Sequence, residues 1–198
     1  MLRVAAGALR GLIIDVPPHI RPTEGKVRQA IFNILGPSIA GARVIDAFAG
    51  SGALGLEALS RGAGFVAFLE SNPACLRAIE RNLAQVTTSR QIAPEAVFAQ
   101  WTVLPGDANR SLEVLAGRGE RFDVALLDPP YDGEEGKKAL QAVGRSAILA
   151  ASGILCLEHA RSTRLPTTAG SLGLIKQHRY GETVLSFYQG ASPGMTAQ

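Results

Sequence analysis

Hydrophobic and polar positions follow a repeating order along most of this chain of 198 residues. From residue 43 onward, short apolar runs are each followed by a polar or glycine-containing turn and then by a segment with helical spacing. Strands that lack polar alternation are typical of parallel sheets covered by helices on both faces. The predicted strands are 44–45, 65–69, 101–104, 124–127 and 154–157, and the predicted helices are 53–61, 73–83, 111–115 and 136–150.

The first residues of the chain have a different pattern. Residues 2–5 and 12–16 are apolar and flank two glycines, which predicts a short hairpin. Thr23 is the predicted N-cap of a helix over 26–35. We therefore expect residues 1–40 to form an arm of hairpin and helix that is separate from the repeating part.

The last part of the chain closes the predicted sheet. Residues 174–179 and 183–188 surround a short turn and predict an antiparallel pair. The fold expected for residues 41–190 is therefore α/β and Rossmann-like, with a mostly parallel seven-stranded sheet and an antiparallel C-terminal strand. The tail, residues 191–198, is expected to be disordered.

The composition favours a cytoplasmic protein. Hydrophobic residues make up 46% of the chain, yet none of its apolar stretches approaches the ~20 residues of a membrane-spanning helix. Arg3, Arg10 and Asp15 interrupt the apolar N-terminus, so it lacks the core of a signal peptide. Cys75 and Cys156 lack metal-ligand spacing, and we expect free thiols.

The positive charge is concentrated at the front of the chain. Residues 1–43 carry six basic and two acidic side chains, whereas the whole chain has a net charge of +3. Clustered cations attract phosphate groups regardless of nucleotide sequence, so this arm is a candidate nucleic-acid surface. An ordinary solvated arm explains the same charges equally well.

Four carboxylates follow four consecutive predicted strands: Asp46, Glu70, Asp107 and Asp128. Ligands of such sheets bind beyond the carboxyl ends of the strands. The segment 50–55 also matches the pattern G-x-G-x-x-G of dinucleotide-binding loops. On its own this match is weak, because the glycines could simply form a tight turn into a helix.

The charges around this loop favour one kind of ligand. Asp46 opens the loop and would repel a pyrophosphate, whereas Glu70 can accept hydrogen bonds from ribose hydroxyls. A ligand with a ribose and a cationic part but no phosphate fits best, and S-adenosylmethionine has this composition. Asp107 and Ala108 could hold its adenine amino group, although Asp107 could equally be an N-cap.

The tetrapeptide Asp128-Pro129-Pro130-Tyr131 follows the fourth strand and suits a planar exocyclic amine. The Asp128 carboxylate and the Pro129 carbonyl can each accept one N–H of the amine and aim its lone pair at a methyl donor. The prolines fix φ and so preorganise that carbonyl, and Tyr131 can stack on an extruded base. The alternative is a rigid exit from a strand with a core or lid aromatic.

These motifs resemble a known family. DAFAGSG, the acidic residue after the second strand, GDA and DPPY resemble class I S-adenosylmethionine-dependent amino-methyltransferases. RPTEGKVRQAIFNIL followed by VIDAFAGSGALGLEALSRGA is similar to the RsmD family of bacterial small-subunit (16S) rRNA guanine-N2 methyltransferases. The resemblance covers about residues 2–189. It implies a class I methyltransferase fold, methyl transfer to rRNA, S-adenosylhomocysteine as the second product, and neither a metal nor a membrane partner. A monomer is the default expectation for so small an enzyme.

The resemblance also implies residue roles. The cofactor would contact Asp46, Phe48, Gly50, Ser51, Gly52, Glu70, Ser71, Asp107, Ala108 and Asp128. The catalytic set would be Asp128, Pro129, Pro130 and Tyr131. The substrate RNA would contact Arg10, Arg21, Thr23, Arg28 and Tyr131. Segment 87–100 is longer than the family pattern predicts, and Glu158 matches an acidic family position for which a structural use is equally plausible.

Other functions remain compatible with parts of the pattern. The tetrapeptide also occurs in enzymes that methylate adenine N6 or protein amides. A non-catalytic rRNA-binding or assembly protein could retain the same fold. An NAD-dependent dehydrogenase agrees with the glycine pattern alone, but not with Asp46 and the double proline.

Overall fold

The computed structural model describes residues 1–18, 20, 24–90, 100–130 and 134–190. All elements below refer to these ranges. The strands are β1 (Leu2–Arg3), β2 (Ile13–Ile14), β3 (Arg43–Ala47), β4 (Phe65–Glu70), β5 (Gln100–Pro105), β6 (Phe122–Leu127), β7 (Leu149–Ala160), β8 (Thr168–Ala169), β9 (Leu172–Tyr180) and β10 (Thr183–Gly190).

The helices alternate with the strands as the hydrophobic pattern predicts. They are α1 (Gly25–Leu35), α2 (Ala53–Ser60), α3 (Pro73–Arg90), α4 (Ala108–Gly117) and α5 (Glu134–Arg145), with a 3-10 turn at Gly36–Ile39. None of these helices is long and apolar enough to cross a bilayer.

One large sheet organises the molecule, in the order β5-β4-β3-β6-β7-β10-β9-β8. The strands from β5 to β7 in this order pair in parallel, and β10 lies antiparallel between β7 and β9. The chain runs outward from β3 to β5 and then returns to the other side of β3. This reversal creates a switch point between β3 and β6, where ligands of open α/β sheets bind.

Helices cover both faces of this sheet, so the central strands are buried on both sides. Val44 of β3 faces a core that includes Leu56 of α2, while the next residue, Ile45, faces a second core that includes Leu140 of α5. All four side chains are at most 1% exposed. The apolar strands of the sequence are therefore explained by packing against two layers of helices.

The arm is attached to the sheet domain through a buried carboxylate. Glu57 of α2 is fully buried and accepts hydrogen bonds from the backbone N–H groups of Ala5 (2.8 Å) and Ala6 (3.1 Å). Its oxygens also pair with Arg61 (2.8 Å) and Arg28 (3.6 Å). Because α2 directly follows the glycine loop, the arm is fastened beside that loop.

A second polar contact connects the arm to the glycine loop itself. The side chain of Asn82 in α3 is fully buried. Its oxygen accepts from the backbone N–H of Asp15 (2.8 Å), and its amide donates to the carbonyls of Asp15 and Ser51 (both 3.0 Å). One buried amide therefore satisfies backbone groups of both segments.

Several predicted boundaries were wrong. The sheet has eight strands instead of seven, because the short β8 pairs with the start of β9. Helix α5 ends at Arg145, five residues before its predicted end, and β7 begins at Leu149. Helix α1 has Glu24 at its N-cap position without a side-chain cap bond, and the expected cap, Thr23, lies outside the described residues.

Helix α3 is longer than its pattern predicted. It continues to Arg90, and the hydroxyls of Thr87 and Thr88 donate to the carbonyls four residues earlier. These bonds explain how two β-branched polar residues are accommodated there. The rest of the long segment that follows, 91–99, lies outside the described residues, as does the tail 191–198.

The two cysteines agree with the expectation of free thiols. Cys75 and Cys156 are each 2% exposed and are not disulfide-bonded. Burial raises the pKa of both thiols, with a contribution from nearby carboxylates, so neither is an activated nucleophile.

Replacing Glu57 by Gln is expected to destabilise the protein. The change would leave the guanidinium of Arg28, which is 3% exposed, without its charged partner. Breaking one side of a buried ion pair costs about 3–5 kcal/mol in free energy of unfolding. Urea unfolding measures this loss. The control is Glu113→Gln at an exposed position of α4, for which the expected change is within about 0.5 kcal/mol. Equal changes in the two variants would contradict the structural role of Glu57.

Candidate functional site

A cavity of about 640 Å³ opens at the carboxyl edge of β3, β4 and β6. The structure brings most of the predicted cofactor and catalytic residues together in its lining. These are Asp46, Phe48, Gly50, Ser51, Glu70, Ser71, Asp107, Ala108, Asp128, Pro129 and Pro130. Gly52 supports the loop from behind without lining the cavity, and Tyr131 lies outside the described residues. What these residues bind stays a prediction.

The glycine loop adopts a backbone that only glycine accepts readily. Gly50 and Gly52 have φ angles of +56° and +78°. A Cβ atom added at Gly50 would have no atom of the described residues within 4 Å, so the backbone faces open space there. At Gly52 an added Cβ would come within 3.3 Å of Ile79 and Phe68. The loop therefore packs closely on its inner side and leaves its outer side open to a ligand.

Phe48, between β3 and this loop, is the strained residue of the site. Its φ of +60° is the one positive value at a non-glycine residue in the described ranges. Such a conformation costs about 1–3 kcal/mol and persists only where surrounding contacts impose it. Phe48 lines the cavity, so this strain lies at the candidate ligand site.

Gly55, the third glycine of the pattern, has a packing role. An added Cβ there would overlap the ring of Phe68 and approach Asp46 Oδ2 to 2.9 Å. Its N–H donates to the same carboxylate oxygen at 2.7 Å. Gly55 thus lets α2 lie close to β4 and fixes the Asp46 side chain at the bottom of the site.

Three carboxylates share the floor of the cavity. Asp46 is 1% exposed. Burial raises the pKa of its carboxyl well above the usual value, the charges of Asp128 and Glu70 add to this increase, and the Gly55 N–H opposes it. Such a site disfavours anions and favours a ligand that carries positive charge.

Glu70 holds the glycine loop in place. One carboxylate oxygen accepts the Gly50 N–H at 2.7 Å, and the other accepts the N–H groups of Ser71 (2.8 Å) and Asn72 (2.7 Å). The sequence pattern suggested only a ribose contact for this residue. A carboxylate has about four lone-pair sites and three are used here, so Glu70 can support the loop and still accept about one hydrogen bond from a hydroxyl group.

Asp107 has the first of the two roles that the sequence left open, the N-cap, and the contact to adenine stays a prediction. Its side chain caps α4 by accepting the Arg110 N–H at 2.9 Å, and it also lines the cavity. Ala108, the first residue of α4, is 4% exposed and lines the cavity next to Asp107. A capping role is therefore present whether or not Asp107 also contacts a ligand.

The double proline continues β6 directly into the cavity. The backbone N–H of Asp128 donates to the Ala47 carbonyl at 3.4 Å, which extends the pairing with β3 by one step. An added Cβ at Gly136 would approach Pro129 Cγ to 2.8 Å, so the first turn of α5 packs tightly on this proline. The Pro129 carbonyl therefore belongs to a rigid and closely packed segment.

The predicted substrate residues have different positions. Arg10 is exposed on the hairpin, and Arg21 and Thr23 lie outside the described residues. Ile20, immediately before them, lines the cavity. The hypothesis that Arg28 contacts cofactor or RNA was wrong: this side chain is buried, donates to the Arg3 carbonyl at 2.6 Å and pairs with Glu57. Burial also lowers the pKa of Arg28.

Other residues of the site were missed from the sequence. Asn72 and Glu135 line the cavity, and Asn72 also accepts the Ala74 N–H at the start of α3. A signal for Asn72 was available, because it directly precedes a proline at a helix start. Glu57 and Asn82 also carried a signal, since each is a polar residue at an apolar position of a helix.

The cavity fits S-adenosylmethionine better than a dinucleotide. Its acidic floor suits the positive charges of this molecule, Glu70 offers acceptors for a ribose, and the open outer side of Gly50 allows close approach. Within the described ranges, His, Cys, Asp and Glu do not cluster in a way that could hold a metal ion.

The fold and the site define the class of the protein. A parallel sheet with an antiparallel strand inserted beside β7, and a glycine loop between β3 and α2, form the class I methyltransferase fold. The chain belongs to the family described as "Conserved hypothetical protein 95", whose profile matches residues 2–189. The predicted membership of the RsmD family is confirmed.

Relatives of similar length support this assignment. The chain is 34% identical to the Bacillus subtilis protein named "Putative rRNA methyltransferase YlbH", over 95% of this chain and 98% of the relative. It is 30% identical to "Ribosomal RNA small subunit methyltransferase D" of Escherichia coli K12, over 98% of this chain and 92% of the relative.

Solved structures agree in fold. The E. coli structure titled "Putative methyltransferase yhhF" has a TM-score of 0.79 at 31% identity and covers 96% of this chain and 97% of its own. A "putative methylase" of Haemophilus influenzae has a TM-score of 0.74 at 27% identity, with coverage of 96% and 99%.

Replacing Asp46 by Asn is expected to change how stability depends on pH. Because folding raises the pKa of this carboxyl above 3.8, its protonated form stabilises the folded state. That stability is lost as the pH rises from about 3.8 through the folded-state pKa. Asn keeps an acceptor for the Gly55 N–H and never ionises, so the stability of the variant relative to wild type should increase with pH and then level off.

Urea unfolding at a series of pH values measures this difference. Both proteins are compared without cofactor, because a cationic ligand favours the ionised carboxylate. A difference that decreases or stays constant with rising pH would show that burial does not dominate at Asp46.

Proposed function

We propose that this protein transfers a methyl group from S-adenosylmethionine to the exocyclic N2 amine of a guanine in small-subunit (16S) rRNA. The observation that carries the proposal is the junction of two sets of residues in one cavity. Asp46, Glu70 and the glycine loop form one part, and Asp128 with the double proline forms the adjacent part. The names of the relatives support methylation of rRNA.

The adjacent part of the cavity suits an amine. The Asp128 carboxylate and the Pro129 carbonyl are acceptors for the two N–H groups of an exocyclic amine. Holding both protons on one side favours a pyramidal nitrogen and directs its lone pair away from the ring. The rigid backbone of Pro129 and Pro130 fixes this geometry before the substrate arrives, which is the basis of preorganised catalysis.

The cofactor part of the cavity suits the methyl donor. When bound, S-adenosylmethionine supplies an electrophilic methyl group on its sulfonium sulfur and leaves as S-adenosylhomocysteine. Glu70 holds the glycine loop and is the candidate acceptor for the ribose hydroxyls, while the acidic floor at Asp46 compensates the positive charge. The amine gains a positive charge on methylation, so its proton becomes acidic, and Asp128 is the proposed first acceptor.

The recognition of the substrate involves the arm in this proposal. Arg10 is exposed and supplies a phosphate contact. Arg21 and Thr23 directly follow Ile20, a lining residue, and are proposed to contact cofactor or RNA. Tyr131 directly follows Pro130 and is proposed to stack on the target base. We further infer a cytoplasmic monomer that acts on rRNA within the small subunit or an assembly intermediate.

The identity of the methylated nucleoside tests the proposed function. Small-subunit rRNA incubated with the protein and methyl-labelled S-adenosylmethionine should yield labelled N2-methylguanosine after digestion to nucleosides. Label in N6-methyladenosine, or in ribosomal protein, would assign the enzyme to a different substrate. Absence of transfer to free rRNA, subunits and assembly intermediates alike would favour a non-catalytic role.

Replacing Asp128 by Ala should abolish most of the methyl transfer. Loss of one positioned acceptor lowers kcat by about 10²–10³-fold or more. The affinity for S-adenosylhomocysteine, measured by calorimetry, should change little, because Glu70 and the glycine loop remain. The matched control is Asp123→Ala, which removes an aspartate from the other end of β6. A large loss of cofactor affinity in Asp128→Ala would contradict its role toward the amine.

A further inference from the structure

The charge of the chain is positive at both ends and negative between them. Residues 44–160 contain ten basic and fourteen acidic side chains, whereas residues 161–190 contain four basic and one acidic. The four basic residues are Arg161, Arg164, Lys176 and Arg179. The second positive segment therefore lies within the sheet domain, far along the chain from the arm.

All four of these side chains are exposed. Within the described ranges none of them takes part in an ion pair, whereas Arg28, Arg43, Arg61 and Arg81 are all paired with carboxylates. Their charges are consequently available to a partner outside the protein. Tyr180, next to Arg179, is also exposed at 36%.

The register of the sheet relates this segment to the catalytic edge. Leu127, the residue before Asp128, pairs with Leu157 of β7. The next residue, Glu158, pairs with Leu185 of β10, and Leu185 pairs with His178 of β9. Since neighbouring strands are about 4.8 Å apart, His178 lies three strand spacings, or about 14 Å, from Asp128 along this edge.

The β9–β10 turn and the loop after β7 lie at this same edge. Thr183 pairs with both Ala160 and Tyr180, so β7 ends where β9 ends. The backbone N–H of Arg161 donates to the Glu182 carbonyl at 2.7 Å and holds the loop against the turn. Arg161 and Tyr180 therefore lie at the same edge of the sheet as the cavity.

The side chains of β9 divide between the two faces of the sheet. Lys176, His178 and Tyr180 alternate along the strand and share one face. The His178 ring packs edge-on against the Phe187 ring, with 6.2 Å between the ring centroids. Phe187 belongs to the core beneath α1. This face of β9 is therefore the one that carries the arm. It presents Lys176 and Tyr180 to solvent, whereas Nε2 of His178 is buried, and Arg179 belongs to the opposite face.

We propose that Arg161, Arg164, Lys176, Arg179 and Tyr180, here called the hairpin surface, bind rRNA nucleotides next to the methylated guanine. The inference rests on the proposed function for its choice of RNA. Cations that track a phosphate backbone beside an aromatic ring that stacks on a base are the usual chemistry of single-stranded nucleic-acid binding. Lys176 and Tyr180 share the face of the sheet that carries the arm, so we expect the RNA to contact both the hairpin surface and the arm.

The charges of the hairpin surface are tested with a triple variant, Arg161→Gln, Lys176→Gln and Arg179→Gln. The matched control is Arg118→Gln, Arg121→Gln and Arg145→Gln, which removes the same charge from exposed positions at the opposite edge of the sheet. The probe is in vitro transcribed 16S rRNA, bound at a series of salt concentrations with S-adenosylhomocysteine present.

The hairpin triple variant should bind at least about tenfold more weakly at moderate salt. The slope of log affinity against log salt should decrease by about 2, since each phosphate contact to a single strand contributes about 0.7. The control should keep the wild-type slope. Equal losses in both variants, or none in the hairpin variant, would overturn the proposal.

The aromatic part is tested separately at Tyr180. Tyr180→Ala should weaken binding about tenfold with an unchanged salt slope, because stacking involves no counterion release. Tyr180→Phe keeps the ring and should bind like wild type. A change in Tyr180→Phe equal to that in Tyr180→Ala would overturn the stacking role.

Two readouts separate this proposal from the proposed function. Affinity for S-adenosylhomocysteine and thermal unfolding should be unchanged in the hairpin variants, and if the triple variant unfolds, Arg179→Gln alone should still reduce the salt slope by about 0.7. RNA binding is measured without methyl transfer. The hairpin surface therefore fails if its variants bind 16S rRNA normally, whereas the proposed function fails if wild-type protein labels another substrate.

Discussion

Parallel pairing of β3 with β4 on one side and with β6 on the other determines where Asp46, Glu70 and Asp128 of the candidate site lie. In this register Ala47 pairs with both Leu69 and Leu127, so the next residues of all three strands emerge at one edge. Glu70, the proposed ribose acceptor, and Asp128, the proposed amine acceptor, therefore lie at one edge on either side of β3, although 58 positions separate them in the sequence. A shift of one residue in either pairing would turn these side chains toward the opposite faces of the sheet.

This convergence has an electrostatic consequence, because Asp46, Glu70 and Asp128 are drawn together in a partly dry cavity. Mutual repulsion and burial disfavour ionisation of Asp46, and the Gly55 N–H only partly offsets them. The same groups therefore favour a cationic ligand, and the strained residue Phe48 lines the same cavity.

The alternation of strands and helices, the glycine loop and the acidic strand ends could be predicted from the sequence, because each depends on local periodicity or on a short motif. Which individual charged side chains are buried and which are exposed could not be predicted from the sequence. Arg28 and Arg10 look alike in a basic arm, but one is buried against Glu57 and the other is exposed. The loop-holding role of Glu70 likewise could not be predicted, because its hydrogen bond from the Gly50 N–H joins elements that are distant in sequence. Such pairings depend on tertiary contacts that periodicity does not encode.

The burial of Arg28 also changes which part of the molecule can attract RNA. With that guanidinium held by Glu57, the exposed cations of the arm are fewer than its composition indicates. The exposed cations near β9 supply positive potential at the same edge of the sheet, while the negative central part of the chain contributes the acidic lining of the cavity. A field of this shape draws a polyanion to the two flanks and leaves the acidic floor for a small cation. In the proposed function, substrate and cofactor are thus separated by charge within one edge of one sheet.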